Sequence, residues 1–334
     1  MKKIIKLLSL FRLPATLMRA CATTTFAEEQ VSMTSAQSEI QIATNTDATN
    51  ISIDWGDGTI SNTDDGEHDE DDGGLVLLGF YHKYVSEESH TIVIRATNFN
   101  KLWCNDNQLT RLDVSKNTEL TSLGCDNNQL TRLDVSKNME LKELYCYENQ
   151  LTRLDVSKNT ALAYLYCYNN QLTRLDVSKN MALTELNCSD NPLTRLDVSK
   201  NTELTSLGCD NNQLTRLDVS KNMALTNLYC YNNQLTRLDV SKNTELTRLY
   251  CGNNQLTSLD ISKNTALTDL YCNNNHLKSL DVSKNTKLAF LNCDNNQLTS
   301  LDVSKNMALT NLYCYGSQLK RLDVGKNMIE ELIC

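Results

Sequence analysis

Leu120-Thr121-Ser122-Leu123-Gly124-Cys125-Asp126-Asn127-Asn128-Gln129-Leu130-Thr131-Arg132-Leu133-Asp134-Val135-Ser136-Lys137-Asn138 is one copy of a unit that recurs every 21 residues. Its cysteine returns at Cys104, Cys125, Cys146, Cys167, Cys188, Cys209, Cys230, Cys251, Cys272, Cys293 and Cys314. A fixed period of this length specifies a solenoid, in which each turn packs only on its neighbours. Such a shape offers a long, shallow recognition surface and no buried catalytic pocket.

Within one unit, Leu141-x-x-Leu144-x-Cys146 alternates inward apolar and outward variable residues, the pattern of a short parallel strand. Asn149 follows at a bend, where an inward amide satisfies backbone groups that the turn would otherwise bury unpaired. Asparagine also stands at 107, 128, 170, 191, 212, 233, 254, 275 and 296, and gives way to Ser317 near the end. In the return half, Leu151, Leu154 and Val156 are expected inside; Arg153, Asp155 and Lys158 are expected outside. Stacking places like charges above one another, and interleaved acidic and basic rows would offset that cost at about 0–1 kcal/mol per exposed pair.

The cysteines do not read as a disulfide framework. In-register side chains would point in parallel, about 4.8 Å apart, poorly aimed at one another for an S–S bond. They are expected as small, buried, unpaired apolar residues. No metal centre is expected, because His276 is the only histidine in the array and no paired ligand set occurs. No cofactor or catalytic residue is expected either: the aspartates recur as a ladder, and no nucleophile–histidine–acid set or phosphate loop is present.

The chain has 334 residues, a net charge of -9 and a pI near 5.1. That balance excludes a nucleic-acid footprint, and no apolar run reaches the roughly 18 residues that span a bilayer. Residues 1–27 read as a secretory signal peptide: Lys2, Lys3 and Lys6, an apolar stretch interrupted by Arg12 and Pro14, and Thr25-Phe26-Ala27 as a cleavage site. The protein is therefore expected to be secreted or on the cell surface.

Residues 28–98 are not repeats. Ile51-Ser52-Ile53-Asp54-Trp55 and Thr91-Ile92-Val93-Ile94-Arg95 alternate as half-buried strands. Asp54-Trp55-Gly56-Asp57-Gly58-Thr59, with Tyr84 and His90-Thr91-Ile92-Val93-Ile94 later, resembles the polycystic-kidney-disease-type (PKD) β-sandwich, which implies a cap or spacer. An acidic loop is expected at 64–74, solvated rather than calcium-binding, since EF-hand spacing is absent.

The repeat itself, over residues 99–334 with eleven copies of Leu-Asp-[Val/Ile]-[Ser/Gly]-Lys-Asn, resembles the cysteine-ladder leucine-rich repeats of internalin J-type bacterial surface proteins. The resemblance implies a right-handed horseshoe solenoid of about 12 parallel strands lining a concave face, preceded by the small β-sandwich cap. It also implies export and, for several relatives, adhesion.

The framework barely varies between copies, and the outward strand positions vary most. Eleven of the thirteen tyrosines fall there. The expected ligand-binding residues of the concave face are Trp103, Tyr145, Tyr147, Tyr164, Tyr166, Tyr168, Tyr229, Tyr231, Tyr250, Tyr271, Phe290, Tyr313 and Tyr315. The tyrosines divide into a cluster at 145–168 and another from 229 to 271 that extends to 313 and 315. Exposed tyrosine gives large contact area at small entropic cost and keeps a polar tip. A protein partner and a glycan or mucin partner both fit that chemistry; passive duplication of a strand-compatible tyrosine in a spacer is the alternative.

Overall fold

The computed structural model describes residues 29–70, 76–85 and 88–334. The signal-peptide expectation at 1–27 lies outside them.

Seven strands form the N-terminal cap: β1 (Glu29–Ser35), β2 (Glu39–Asn45), β3 (Thr49–Asp54), β4 (Ile60–Asn62), β5 (Glu67–Glu70), β6 (Val76–Lys83) and β7 (His90–Thr97). Their alternation buries Val31, Met33, Ile40, Ile42, Ile53, Ile92 and Ile94 around Trp55. The first repeat contributes β8 (Lys101–Trp103) and β9 (Arg111–Asp113), and the second opens with β10 (Ser122–Gly124).

The cap continues both faces of the solenoid. One sheet runs β4-β3-β7-β1-β9, so β1 pairs with the return segment of the first turn. The other runs from β5 through β6, β2 and β8 into the parallel strands of the array, so β2 pairs with the first concave strand. Asn107 shows how the substitution works. In inner turns the equivalent Oδ1 accepts a backbone N–H from the preceding turn; here it accepts Gln41 N–H at 2.9 Å, and its amide donates to Gln41 O at 2.6 Å. Phe99 N–H donates to the buried Glu29 carboxylate at 2.7 Å, and burial raises that carboxyl above its usual range. An unprotected apolar end is thereby closed.

Part of the expected acidic loop is ordered differently. Thr63–Asp65 forms a 3-10 turn, and Glu67–Glu70 is an edge strand antiparallel to β6. The exposed Glu67 side chain on this sheet edge helps keep it from pairing with another chain.

Twelve three-residue strands stack in parallel along the array, each in register with its neighbour, as in Leu144 against Leu165 and Leu165 against Leu186. In one turn Leu120, Leu123, Cys125, Leu130 and Val135 are wholly buried and Leu133 nearly so. Each leucine contributes about 1.5–3 kcal/mol on burial. Every cysteine from Cys104 to Cys293 is buried and unpaired, as the slot requires. Cys314 departs from the expectation: it forms a disulfide with Cys334, with Cα atoms 4.6 Å apart. The spacing from Cys314 to Cys334 is 20 residues where the earlier ones are 21, and the Cys334 side chain is exposed instead of packed in the column.

The bend asparagines form the expected ladder. Asn212 accepts Leu193 N–H through Oδ1 at 3.0 Å and donates to the carbonyls of Cys188, Cys209 and Asp210 at 3.0–3.1 Å. The residue before each bend asparagine, such as Asn211 (φ 50°), is left-handed, which suits Asn and Asp. A second ladder was not anticipated. Asn201 donates to Val177 O and Asn180 O at 2.9 and 2.8 Å, and the pattern recurs from Asn138 to Asn306.

The charge rows are also built differently from the expectation. Among the described residues no Asp–Lys pair of the rows lies within 4.0 Å. Each aspartate instead accepts the N–H of the residue two positions on, a serine in every copy but that of Asp323, where it is Gly325, as Asp134 does from Ser136 at 2.9 Å. That serine's hydroxyl and N–H hold the carboxyl below its usual range. The return turn is fixed by this local bond, not by ion pairs between rows.

Candidate functional site

Parallel register puts the residue before and the residue after each cysteine on the concave face, because successive strand side chains alternate and the cysteine points in. Rings at neighbouring turns then meet. Trp103 reaches across Gly124, where a Cβ would collide with its ring, and packs on Tyr145 with centroids 5.3 Å apart. Tyr145 stacks on Tyr166 at 5.3 Å, and Tyr147 on Tyr168 at 4.4 Å. Farther along, Tyr229, Tyr250, Tyr271, Phe290 and Tyr313 form one run, with successive centroids 5.0, 4.3, 4.5 and 5.2 Å apart.

Ten of the thirteen expected residues are thus in ring contact. Trp103 joins the first group, and Phe290 bridges Tyr271 to Tyr313 where Asn292 would otherwise break the run. Tyr164 stands beside the first stack, 36% exposed, and Tyr315 lies at the far end, 62% exposed. Tyr231 is held by polar contacts. Between the two groups the strands at Glu185–Asn187 and Ser206–Gly208 carry no ring.

Acidic groups underlie the aromatics, a feature not anticipated. Asp126 and Asp210 are buried, Asp126 close enough to Tyr147 and Asp210 close enough to Tyr231 to act on the phenol; Asp210 also accepts from the Ser189 hydroxyl at 2.6 Å. Asp294 accepts Tyr315 N–H at 2.7 Å. Burial raises the carboxyls of Asp126 and Asp294. The signal was present: each of these aspartates is followed 21 residues later by a tyrosine. Tyr166 donates to Glu185. Burial, with these carboxylates, pushes Tyr147 and Tyr166 up and Tyr231 up to about 12; burial, with Tyr271 and Asp269 beside it, pushes Tyr250 up to about 12. The phenols stay protonated and act as donors with fixed orientations.

Comparison with known proteins follows the same lines. The family model "Leucine Rich repeats (2 copies)" matches residues 224–264. The functional domain of InlJ from Listeria monocytogenes, which includes a cysteine ladder, is 40% identical with a TM-score of 0.63, over 70% of this chain and 60% of that one. The array is a leucine-rich-repeat solenoid with a cysteine ladder, similar to that of the InlJ domain. The chain thus spans under two thirds of the InlJ domain it matches. An internalin (inlF) from Listeria monocytogenes shares the fold at 22% identity and a TM-score of 0.57, over 69% of this chain and 82% of that one. The leucine-rich effector YopM from Yersinia pestis is 25% identical with a TM-score of 0.56, over 70% and 74%. No curated protein sequence matches the chain.

In the leucine-rich repeat the concave face carries acid and ring together. Asp106, Asp126, Glu143, Glu148, Glu185, Asp190, Asp210, Asp269 and Asp294 occupy its outward and turn positions, against Lys101, Lys142 and Arg248. Arg248 is already near Asp269 at 4.0 Å. Among the described residues no cluster of three or more His, Cys, Asp or Glu side chains could hold a metal ion, and no helix is long and apolar enough to cross a membrane.

Proposed function

We propose that the chain is an exported or cell-surface bacterial protein that binds a protein on a host or neighbouring cell through its concave aromatic strip, as a scaffold and not as an enzyme. The same proposal divides it into a leader at 1–27, a cap at 28–98 and the repeat array from 99 onward. The observation that carries the reading is the confinement of the array's exposed rings to one face, in contact with one another across consecutive strands. A contiguous aromatic surface with polar tips and a polar surround is the composition of binding hot spots.

A protein partner is favoured over sugar stacking by the way the rings pack. Tyr147 and Tyr168 lie nearly parallel, at 8°, and Tyr271 and Phe290 at 11°. Their faces are spent on each other, so a sugar ring would find edges and hydroxyls where it needs an open face. The similarity to the InlJ domain supports export and surface display.

The test is binding to intact epithelial cells of the purified chain and of a variant with Tyr145, Tyr147, Tyr166 and Tyr168 changed to serine. A hot-spot tyrosine costs about 2 kcal/mol on truncation, so the variant is expected to bind about thirtyfold or more weakly while keeping its circular dichroism. Protease treatment of the cells should abolish binding by the parent. Equal binding by the two proteins would remove the concave strip from the account, and protease-insensitive binding blocked by free sugars would replace the protein partner with a glycan.

A further inference from the structure

The opposite face carries a feature that neither the fold nor the concave site uses. Arg111, Arg132, Arg153, Arg174, Arg195, Arg216 and Arg237 stand at one slot of seven consecutive turns, and all are exposed. At about 4.8 Å per turn they form a file roughly 29 Å long. Among the described residues none of the seven has a carboxylate within 4.0 Å.

The fold does not need them. Ser258, Ser279 and Ser300 occupy the same slot in the next three turns, where Leu259, Leu280 and Leu301 pack as their counterparts do. Beyond Arg111, whose charge Asp113 feels, the neighbouring aspartate row does not neutralise them either. Each carboxylate of that row is tied to its own turn through the serine N–H. From Asp134 to Asp239, the cationic neighbour that each aspartate feels is the lysine three residues on. Seven like charges in a file repel one another, and an anionic ligand would relieve that repulsion.

We propose that this arginine file is a binding site for a linear sulfated polysaccharide. Guanidinium groups bind sulfate bidentately, which a point-charge ammonium cannot do. The file is flanked on one side by exposed Thr131, Thr152, Thr173, Thr194, Thr215 and Thr236, which supply neutral hydroxyls for sugar hydroxyls. An extended polysaccharide can follow a file of this length along successive turns. A nucleic-acid duplex curves away from it, and a single strand needs aromatic platforms, while the rings of the array lie on the concave face.

The test uses the full chain and heparin as the probe, at fixed ionic strength. One variant replaces Arg132, Arg153, Arg174 and Arg195 by serine, the residue the chain itself places at this slot. A second replaces Lys137, Lys158, Lys179 and Lys200 by glutamine, removing equal charge from the adjacent row. The arginine variant is expected to bind about tenfold or more weakly with a shallower salt dependence, the lysine variant within about threefold of the parent, and desulfated heparin not at all. The four-tyrosine variant keeps heparin binding, so this site stands or falls apart from the concave one. Equal losses in the arginine and lysine variants, no heparin binding by the parent, or equal or tighter binding of polyphosphate or a single-stranded oligonucleotide would each overturn the proposal.

Discussion

Raising the pH from 9 to 10 is expected to unfold the array. Burial raises all ten ladder thiols above the usual value of 9.0, with Cys251 and Cys293 reaching about 12. A group whose folded pKa lies above its unfolded one contributes stability that is complete below the unfolded pKa. That contribution is lost as pH rises toward the folded pKa, because the unfolded chain releases the proton first. Each thiol forfeits about 1 kcal/mol between pH 9 and pH 10, and ten forfeit about 10 kcal/mol, comparable to the whole stability of an ordinary domain. The raised phenols of Tyr231 and Tyr250 act in the same direction at higher pH. Urea titrations followed by circular dichroism at pH 8, 9 and 10 measure the loss, and a midpoint that does not move would contradict it.

Removing one bend asparagine from the middle of the array is the second large effect. Asn212→Ala leaves Leu193 N–H without its acceptor and removes one donor each from the carbonyls of Cys188, Cys209 and Asp210, which keep a second donor in Asn191, Asn233 and the Asp190 N–H respectively. At about 1–3 kcal/mol for the unpaired N–H and about 0.5–1.5 kcal/mol for each of the three other bonds lost, the loss should reach about 3 kcal/mol or more. It should also divide the array, because stability in a solenoid is carried by contacts between adjacent turns. The chain accepts Ser317 at this slot only in the last turns, and there the serine hydroxyl is buried without a partner. Chemical denaturation of the purified variant checks the prediction; a loss below about 1 kcal/mol would show that these bonds do not hold the turns together.

The inner architecture was readable from the repeat because every copy repeats the same constraint. A leucine, cysteine or asparagine recurring at 21 residues must occupy one column, and its polarity decides which way the column points. The concave tyrosines follow from the same alternation. What escaped the sequence depends on events at the ends or on side-chain reach. The Cys314–Cys334 bond arises where the cysteine spacing shortens from 21 to 20 residues. The merging of β1 with β9 and of β2 with β8 is a tertiary pairing between unlike segments. Trp103 meets Tyr145 because Gly124 leaves the intervening turn empty. The Asp134–Ser136 bond and the Asn201 ladder were visible as recurrences, but a recurring polar residue does not state which backbone group it serves.

Which face carries the rings rests on strand register, since a slip of one residue would turn the cysteines outward and the tyrosines inward. Thiol labelling decides this directly. A small alkylating reagent at pH 7.5, read by mass spectrometry, is expected to leave Cys104 through Cys293 unmodified in the native protein and to modify all ten once the chain is unfolded. Cys314 and Cys334 should become reactive only after reduction. Rapid native labelling along the array would place the cysteines on the surface and remove the aromatic face on which the proposed function depends.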